Sequence, residues 1–250
     1  MTNDSEYTWG VISDSGVLVA GSLSAVLEGN FECELSFPTQ EMMAPCVPAQ
    51  VVGVAHNYSG EGNTESAVEP LVFLKSASSV IGPSDPILLS RYLTQTWGEA
   101  ELAIVLRHGL SHANTRDASD AILGYTVAND VTGSDATGRD HHLAKYKSAD
   151  SYCVLGPWID TEFVPGNQQI LATQNTTLLR KGLLSDRNMN DCELLSWISN
   201  WMSLNPGDVV LTGTPPRVRE RYFLEAGHTF TCKIEGLGEL SNIVRSSDVA

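Results

Sequence analysis

The hydrophobic residues of this chain fall into short runs that are separated by Gly, Pro and Asp. From residue 51 onward the runs have the length of strands and are rich in Val and Ile, which favours β-strands. They cover residues 51–55, 71–75, 102–106, 125–129, 209–212 and 229–234. The chain is therefore predicted to be built mainly from short strands.

Before residue 49 the pattern is different, because apolar and polar positions alternate over shorter stretches such as 9–12 and 16–20. This alternation predicts a few small strands. Pro38, Pro45 and Pro48 then mark a connector. We expect a small N-terminal β lobe over residues 1–48, followed by a larger domain over residues 49–250.

Two segments have the spacing of helices. Residues 115–123 begin with a capping Thr and are followed by Gly124 as a stop signal. Residues 191–203 carry one apolar face and end before Asn205-Pro206-Gly207. Residues 135–148 are polar and without a period, so we predict a loop there, of a kind that could cover a site.

The predicted fold is a β-rich α+β domain whose mixed sheets roll over a core, with few short helices. A chain of 250 residues with 42% hydrophobic residues is long enough to form such a core. No internal repeat is visible in the sequence.

The charge balance limits the partners. The chain has 30 acidic and 15 basic residues, a formal net charge of -15. That sign excludes nucleic acid and anionic membrane surfaces as expected partners. A protein of this charge that handles a small anion needs a few local Lys or Arg residues, or a metal ion.

The five cysteines are scattered, odd in number and never in a C-x-x-C pair, so neither disulfides nor a thiolate zinc site is predicted. The first residues lack a basic start and an apolar segment, and the apolar runs are too short to span a bilayer. We expect reduced thiols in a cytoplasmic protein.

Acidic residues at the ends of two predicted strands are the strongest chemical signal. Glu99 and Glu101 lie two residues apart at the start of the run 102–106, so they share a face. Asp130 directly follows the run 125–129. Three carboxylates would suit a hard cation such as Mg²⁺, Mn²⁺ or Ca²⁺. From spacing alone, a solvated strand edge is the more common explanation for two glutamates placed in this way.

A series of motifs resembles the fumarylacetoacetate hydrolase family, including its acylpyruvase and 2-hydroxyhepta-2,4-diene-1,7-dioate isomerase members. The resemblance spans roughly residues 50–245, and the motifs occur in the order of the family. They are VGVAHNY at 52–58, EPLVFLK at 69–75, EAEL at 99–102, GYTVANDV at 124–131, KSAD at 147–150, LGPW at 155–158 and PGDVVLTGTP at 206–215.

The resemblance implies the family's β-roll fold, a homodimer, and a Mg²⁺ or Mn²⁺ ion held by Glu99, Glu101 and Asp130. It also implies that Lys147 is the active-site lysine, acting as a fixed positive charge or, with a lowered pKa, as a proton donor. The residues implied to contact the substrate are Asn57, Tyr58, Gly213 and Thr214. Lys75 matches a family position too, but a lysine that ends a strand is commonly only solvated.

Hydrolytic members of the family resemble one another in a His and Glu, three residues apart, that activate water. Here Glu61 and Thr64 take those positions, with Glu65 next to them. Glu61 and Glu65 are therefore the candidate catalytic bases. Three histidines remain as alternatives, namely His56, His141 and His142. Ser134 also stands where many members have an arginine.

The implied substrate is a small 2-oxo or β-diketo acid, such as an acylpyruvate, whose enolate the metal stabilises. Hydrolysis of a C–C bond is the first interpretation. Decarboxylation or keto–enol isomerisation of a 2-oxo dicarboxylate is the alternative, because neither requires water in the bond-breaking step. A homologue that binds a small molecule without catalysis is the third.

Overall fold

The computed structural model describes residues 9–12, 17–20, 25–26, 28–30, 32–35, 42–58 and 69–247, and the chain divides into two units, Met1–Glu41 and Met42–Ala250. In the first unit, β1 (Trp9–Ile12), β2 (Val17–Ala20) and β3 (Cys33–Leu35) form an antiparallel sheet in the order β1-β2-β3. Small strands of this kind are what the alternating pattern predicts. The domain boundary near residue 48 stays a prediction.

The second unit consists mainly of strands. In chain order they are β4 (Val51–Ala55), β5 (Leu71–Lys75), β6 (Val80–Ile81), β7 (Ile87–Leu89), β8 (Gln95–Trp97), β9 (Ala100–Leu106), β10 (Ile122–Asp130), β11 (Thr132–Ser134), β12 (Cys153–Asp160), β13 (Gln169–Gln174), β14 (Thr177–Leu183), β15 (Val209–Leu211), β16 (Thr229–Ile234) and β17 (Gly238–Ser246). The strands predicted at 51–55, 71–75 and 229–234 have these bounds, and the others differ by a few residues at their ends.

Within the described residues, seven of these strands form a mixed sheet in the order β5-β4-β15-β9-β10-β12-β6. Strands β4 and β15 are parallel, as are β12 and β6, and the other neighbours are antiparallel. Every residue of β9 is buried, and so is nearly all of β10. Continuous apolar runs form these strands because both faces of the sheet are covered.

A second sheet has five strands in the order β14-β13-β16-β17-β7, and β8 pairs with β11 in a separate ribbon. Along β13 the buried and half-buried residues alternate, as they do when one face of a sheet lies on a core. Leu102 and Ile104 of β9 share that core with Ile170 and Phe230. The expectation of a β-rich α+β fold with mixed sheets is therefore confirmed.

The helices are short and differ from the sequence-based expectation. In the second unit they are α1 (Thr115–Asp120), α2 (Ala144–Lys147) and α3 (Asp191–Ser199), with 3-10 turns at Ala77–Ser79 and Leu184–Asp186. The predicted helix 115–123 was too long, because β10 already begins at Ile122. Its cap is the side chain of Asn114, which accepts hydrogen bonds from the backbone N–H groups of Arg116 and Asp117.

The prediction that Gly124 stops a helix was wrong, because Gly124 lies inside β10. A Cβ atom there would come within 2.4 Å of the Asp160 carbonyl oxygen on β12, so glycine permits the two strands to approach. The predicted helix 191–203 ends at Ser199. The loop predicted over 135–148 contains the helical turn α2, so that prediction was wrong at its C-terminal end.

None of the helices in the described part of the chain is long and apolar enough to cross a membrane. Cys46, Cys153, Cys192 and Cys232 are free thiols. Burial raises the pKa of Cys46 and of Cys153 to about 12, so both stay protonated at neutral pH.

Candidate metal centre

Three carboxylates meet where β9 begins and β10 ends. Glu99 directly precedes β9, Glu101 is its second residue, and Asp130 ends the antiparallel neighbour β10. The backbone N–H of Asp130 donates a hydrogen bond of 2.9 Å to the Glu99 carbonyl, which holds the two strand ends together. One carboxylate oxygen from each residue lies within 4.8 Å of the others. The predicted convergence of these acids is therefore present.

Two lysines lie against Asp130. The ammonium group of Lys75 donates to one carboxylate oxygen and that of Lys147 to the other. Lys147 also donates to Glu99 at 3.1 Å and to the Thr132 hydroxyl at 2.6 Å. Lys75, which the sequence analysis set aside as solvated, is 3% exposed. Sequence reasoning therefore missed Lys75 as a buried residue of this centre.

The positions of Phe73 and Gly53 explain why Lys147 can be buried here. The Lys147 nitrogen lies 4.3 Å from the centre of the Phe73 ring, in a cation–π contact. A Cβ on Gly53 of β4 would come within 2.2 Å of that ring. Glycine in the middle of a buried strand therefore gives the ring its place beneath the ammonium group.

A third cation reaches the acids from the other sheet. Arg180 of β14 is 3% exposed, and its guanidinium donates to Glu99 at 2.6 Å and to the Pro215 carbonyl at 2.7 Å. Sequence reasoning missed Arg180 entirely. We refer to the six residues together as the charged cluster, which consists of Lys75, Glu99, Glu101, Asp130, Lys147 and Arg180.

Burial and pairing shift the pKa values in the charged cluster in opposite directions. Burial raises the pKa of Glu101 well above its ordinary value, and the neighbouring Asp130 raises it further. Burial also acts to raise the pKa of Glu99, but Lys147 and Arg180 outweigh it and hold that pKa at about 2. For Lys147, the pull of Asp130 and Glu99 outweighs burial and raises the pKa, so the ammonium group keeps its proton.

The Thr-Gly-Thr-Pro turn after β15 closes the centre on one side. The N–H of Gly213 donates a hydrogen bond of 2.6 Å to Glu101. Gly213 has a φ of +98°, and a Cβ there would lie 3.2 Å from the Asn57 Cβ, so a side chain would be both strained and crowded. The hydroxyl oxygen of Thr214 is buried and has no hydrogen-bond partner among the described residues.

Asn57 and Tyr58, predicted to contact substrate, are buried next to this turn. The Asn57 amide donates to the Thr212 and Met189 carbonyls at 2.9 and 3.3 Å and accepts from the Met189 N–H at 2.9 Å. These bonds use its polar atoms to hold the turn. A Cβ on Gly213 would lie 3.6 Å from the Tyr58 ring, and within the described residues the Tyr58 hydroxyl has no hydrogen-bond partner.

The remaining candidates do not join the centre in the described part of the chain. Glu61 and Glu65 lie outside the described residues, so their role as bases stays a prediction. His56, His141 and His142 are exposed. The Ser134 hydroxyl, in the short strand β11, donates to the Gln95 side chain at 3.3 Å.

The donor set fits a hard divalent cation. Glu99, Glu101, Asp130, Lys147 and Thr214 line a cavity of about 40 Å³. A cavity of ~10–15 Å³ already accommodates one water, so there is room for an ion and a water. Each carboxylate oxygen has two lone pairs and can accept from a lysine while it ligates a cation. The unpaired Thr214 hydroxyl also indicates a missing ligand, because buried hydroxyls normally have a partner.

Comparison with protein-family models matches residues 49–245 to the model described as fumarylacetoacetate (FAA) hydrolase C-terminal. Among curated relatives, the mitochondrial oxaloacetate tautomerase of Xenopus laevis is 36% identical in an alignment 225 positions long, which covers 84% of this chain and 70% of the relative. The residues matched by the family model include both strands that carry the acids, together with Lys147 and the turn.

Solved structures with different activities are similar to this chain. The 5-carboxymethyl-2-hydroxymuconate delta-isomerase of Mycobacterium smegmatis is 34% identical, with a TM-score of 0.75 over 82% of this chain and 80% of that one. The fumarylacetoacetate hydrolase of Exiguobacterium antarcticum is 28% identical, with a TM-score of 0.80 over 96% and 99% of the two chains. Similarity of fold therefore does not by itself distinguish isomerases from hydrolases.

Proposed function

The chain belongs to the fumarylacetoacetate hydrolase family, and from that premise we propose that it is an enzyme that catalyses the keto–enol isomerisation of a small 2-oxo dicarboxylate with a divalent cation. The observation that carries the proposal is the cavity, in which three carboxylates, the Lys147 ammonium group and the Thr214 hydroxyl face one small volume.

Glu99, Glu101 and Asp130 would hold the cation. A bound Mg²⁺ or Mn²⁺ supplies Lewis-acid polarisation of a substrate oxygen. The oxygen donors are equally suited to both ions, so we propose either one.

Lys147 supplies the second positive charge. Its raised pKa keeps it protonated, so it acts as a fixed cation and hydrogen-bond donor toward a substrate oxygen that becomes negative in the transition state. Of the two roles considered for this lysine, the geometry favours the fixed charge over the proton donor. Such preorganised charge is most effective in a site that excludes water.

Thr214 and Gly213 would orient the substrate. The Thr214 hydroxyl faces the cavity and is free, among the described residues, to donate to a substrate carboxylate. Gly213 uses its N–H to hold Glu101 and therefore orients a cation ligand. Asn57 fixes the same turn from behind through its bonds to Thr212 and Met189.

Isomerisation is favoured over hydrolysis by what surrounds the cavity. Among the described residues that line it there is no histidine, and the sequence replaces the family's water-activating pair by Glu61 and Thr64. Moving a proton between carbon and oxygen needs one base and no water. We propose Glu61 or Glu65 as that base. Isomerisation thereby replaces hydrolysis of a C–C bond, which was the first interpretation of the sequence.

Hydrolysis of an acylpyruvate is the second candidate. It is supported by the same pair of carboxylates, Glu61 and Glu65, because a carboxylate whose pKa is raised by burial can activate water. The homodimer and the cytoplasmic location also remain proposals, which light scattering and fractionation of cells would test.

A panel of 2-oxo acids, assayed with and without metal, tests the proposal. The purified chain is treated with EDTA and then supplied with Mg²⁺ or Mn²⁺. Enol loss from oxaloacetate is followed by ultraviolet absorbance, and pyruvate release from oxaloacetate or acylpyruvates is followed in parallel. We expect metal-dependent enol loss without pyruvate release, above the rate with metal alone.

Three outcomes would contradict the proposal in different ways. Pyruvate release from an acylpyruvate as the main reaction would favour hydrolysis, and release from oxaloacetate would favour decarboxylation. Full activity in EDTA would remove the cation from the mechanism. Binding of these acids without any turnover would identify a homologue that has lost catalysis.

A further inference from the structure

The charged cluster contains as many cations as acids in the described part of the chain. Asp130 contacts two lysines, and Glu99 contacts a lysine and an arginine. Glu101 is held by a backbone N–H. The formal charges therefore cancel among these six residues, which are Glu99, Glu101, Asp130, Lys75, Lys147 and Arg180.

Arg180 has a distinct position in this cluster. Lys147 lines the cavity together with the acids, whereas Arg180 is absent from its lining and approaches Glu99 from the five-stranded sheet. Its second hydrogen bond goes to the carbonyl of Pro215, next to Thr214. One guanidinium group thus connects a cation ligand with the turn that faces the substrate, without contacting the cavity itself.

We propose that Arg180 is a positioning residue that makes cation binding depend on the anionic substrate. The proposal rests on the function proposed above. Arg180 neutralises Glu99 and fixes its carboxylate, so the empty cluster attracts a divalent cation weakly. A 2-oxo dicarboxylate brings negative charge into the same small volume and restores the attraction. Cation and substrate therefore bind cooperatively.

The sign of the effect follows from electrostatics. A cation that enters three bare carboxylates gains their full attraction, whereas one that enters a neutral cluster also meets the repulsion of three buried positive groups. Because coupling between two ligands is reciprocal, the substrate raises the affinity of the cation by the same factor as the cation raises that of the substrate. A purely structural arginine would have the opposite effect on cation affinity, because its loss would misplace Glu99 and weaken binding of the cation.

Calorimetry with Mn²⁺ tests this inference on the full chain after removal of metal by EDTA. Mn²⁺ is titrated alone and in the presence of saturating oxalate. Oxalate is a nonreactive dianion with adjacent carboxylate oxygens. The concentration of free Mn²⁺ is corrected for the complex that Mn²⁺ forms with oxalate. For the wild type we expect oxalate to increase the Mn²⁺ affinity about tenfold or more. For Arg180→Gln we expect Mn²⁺ alone to bind about tenfold more tightly than to the wild type, with a smaller effect of oxalate.

Two variants serve as controls. Arg116→Gln makes the same change of charge at an exposed position of α1 and should leave both titrations unchanged. Arg180→Lys keeps the charge and should keep the dependence on oxalate. If Arg180→Gln does not fold, as judged by circular dichroism, the wild-type titrations still test the inference, because an effect of oxalate below about threefold overturns it.

The inference is overturned if oxalate changes the wild-type Mn²⁺ affinity by less than about threefold. It is also overturned if folded Arg180→Gln binds Mn²⁺ no more tightly than the wild type. Mn²⁺ binding without coupling would leave the proposed function intact. The absence of Mn²⁺ binding in both titrations would overturn the proposed function together with the inference.

Discussion

A single helical turn sends two lysines into two very different ionic networks. In α2 (Ala144–Lys147), Lys147 is buried in the charged cluster, whereas the side chain of Lys145 is 46% exposed and donates to Asp135 at 2.5 Å. Asp135 also accepts from the Tyr146 hydroxyl at 2.9 Å and from the Thr137 N–H at 2.8 Å. We call this second group the surface network.

The two networks differ in their exposure to water. At the surface, water competes for each charge and an ion pair does little beyond fixing local geometry. In the charged cluster water is displaced, so each charge depends on its partners and also changes their pKa values. The surface network holds α2 in place, whereas the function proposed above gives Lys147, at the end of the same turn, a role next to the substrate. Four substitutions test this division, starting with the largest expected effect.

Replacing Lys147 with Met should reduce turnover by about 100- to 1000-fold, because a preorganised charge next to the reacting oxygen is lost. The matched variant Lys145→Met, two residues away, should change turnover by less than about twofold. Steady-state rates at saturating metal provide the comparison. Equal losses in both variants would mean that α2 contributes structure alone.

Replacing Lys75 with Met should lower the free energy of unfolding by about 3 kcal/mol or more, because it leaves Asp130 buried with one cation fewer. The control is Lys233→Met, whose partner Glu239 lies at 3.4 Å in an exposed pair. That change should cost less than about 1 kcal/mol. Urea denaturation of the metal-free proteins measures the free energy of unfolding of both variants. If Lys75→Met lowers it as little as Lys233→Met does, the ion pair of Lys75 contributes no more than an exposed pair.

Replacing Glu101 with Gln should have opposite effects on binding and stability. The Mn²⁺ affinity should fall at least about 100-fold, since a ligand charge is removed. The metal-free protein should become more stable at neutral pH, because the raised pKa of Glu101 means that the fold disfavours its ionised form.

Titration with Mn²⁺ and urea denaturation in EDTA check the two halves of this prediction. Glu239→Gln, in the exposed pair with Lys233, should change neither quantity. An unchanged Mn²⁺ affinity in Glu101→Gln would remove this residue from the centre.

The smallest effect is expected in the surface network. Hydrogen bonds from Lys145, Thr137 and Tyr146 hold the pKa of Asp135 below its ordinary value of 3.8. A depressed pKa means that ionised Asp135 stabilises the folded loop above about pH 3.8 and that this contribution is lost as the pH falls further.

Amide hydrogen exchange in residues 135–147, corrected for the intrinsic rate at each pH, should therefore be faster in Asp135→Asn than in the wild type at pH 7. The difference should shrink below pH 3.8. Increased exchange throughout the seven-stranded sheet would contradict the local character of this network.

The sequence was most informative about the acidic residues that lie at the ends of continuous apolar strands. The runs of β9 and β10 predicted two buried strands, and the positions of Glu99, Glu101 and Asp130 at their ends predicted that the acids converge. The motif order then made a cation site the favoured interpretation of an ambiguous acidic pair. These features are local in sequence, and side-chain alternation fixes where each residue points.

The cations of the cluster were harder to predict. Lys75 lies two residues after Phe73 in β5, so alternation places both on the buried face, but a terminal lysine more often reaches solvent. For Arg180 no such signal exists. The pairing of β13 with β14 has a bulge near Ala172, and Leu179 and Arg180 are both buried, which breaks alternation.

Helix α2 could not be predicted because distant side chains determine it. A segment of four residues has little intrinsic helical stability. Here the Asp140 carboxylate accepts from the Tyr146 N–H at 2.7 Å, and Asp135 binds Lys145 and Tyr146 from ten and eleven residues away. Such bonds are visible only once the loop is folded.

The position of β15 between β4 and β9 has a consequence for biosynthesis. Residues 209–211 pair with Val51 and its neighbours on one side and with residues 103–105 on the other. A nascent chain therefore cannot join the two halves of the central sheet until its last fifth leaves the ribosome. Until then β4 and β9 each present an open strand edge, which is the kind of edge that promotes aggregation. Translation that stops shortly before Val209 should thus release a chain that depends on chaperones and has no cation-binding centre.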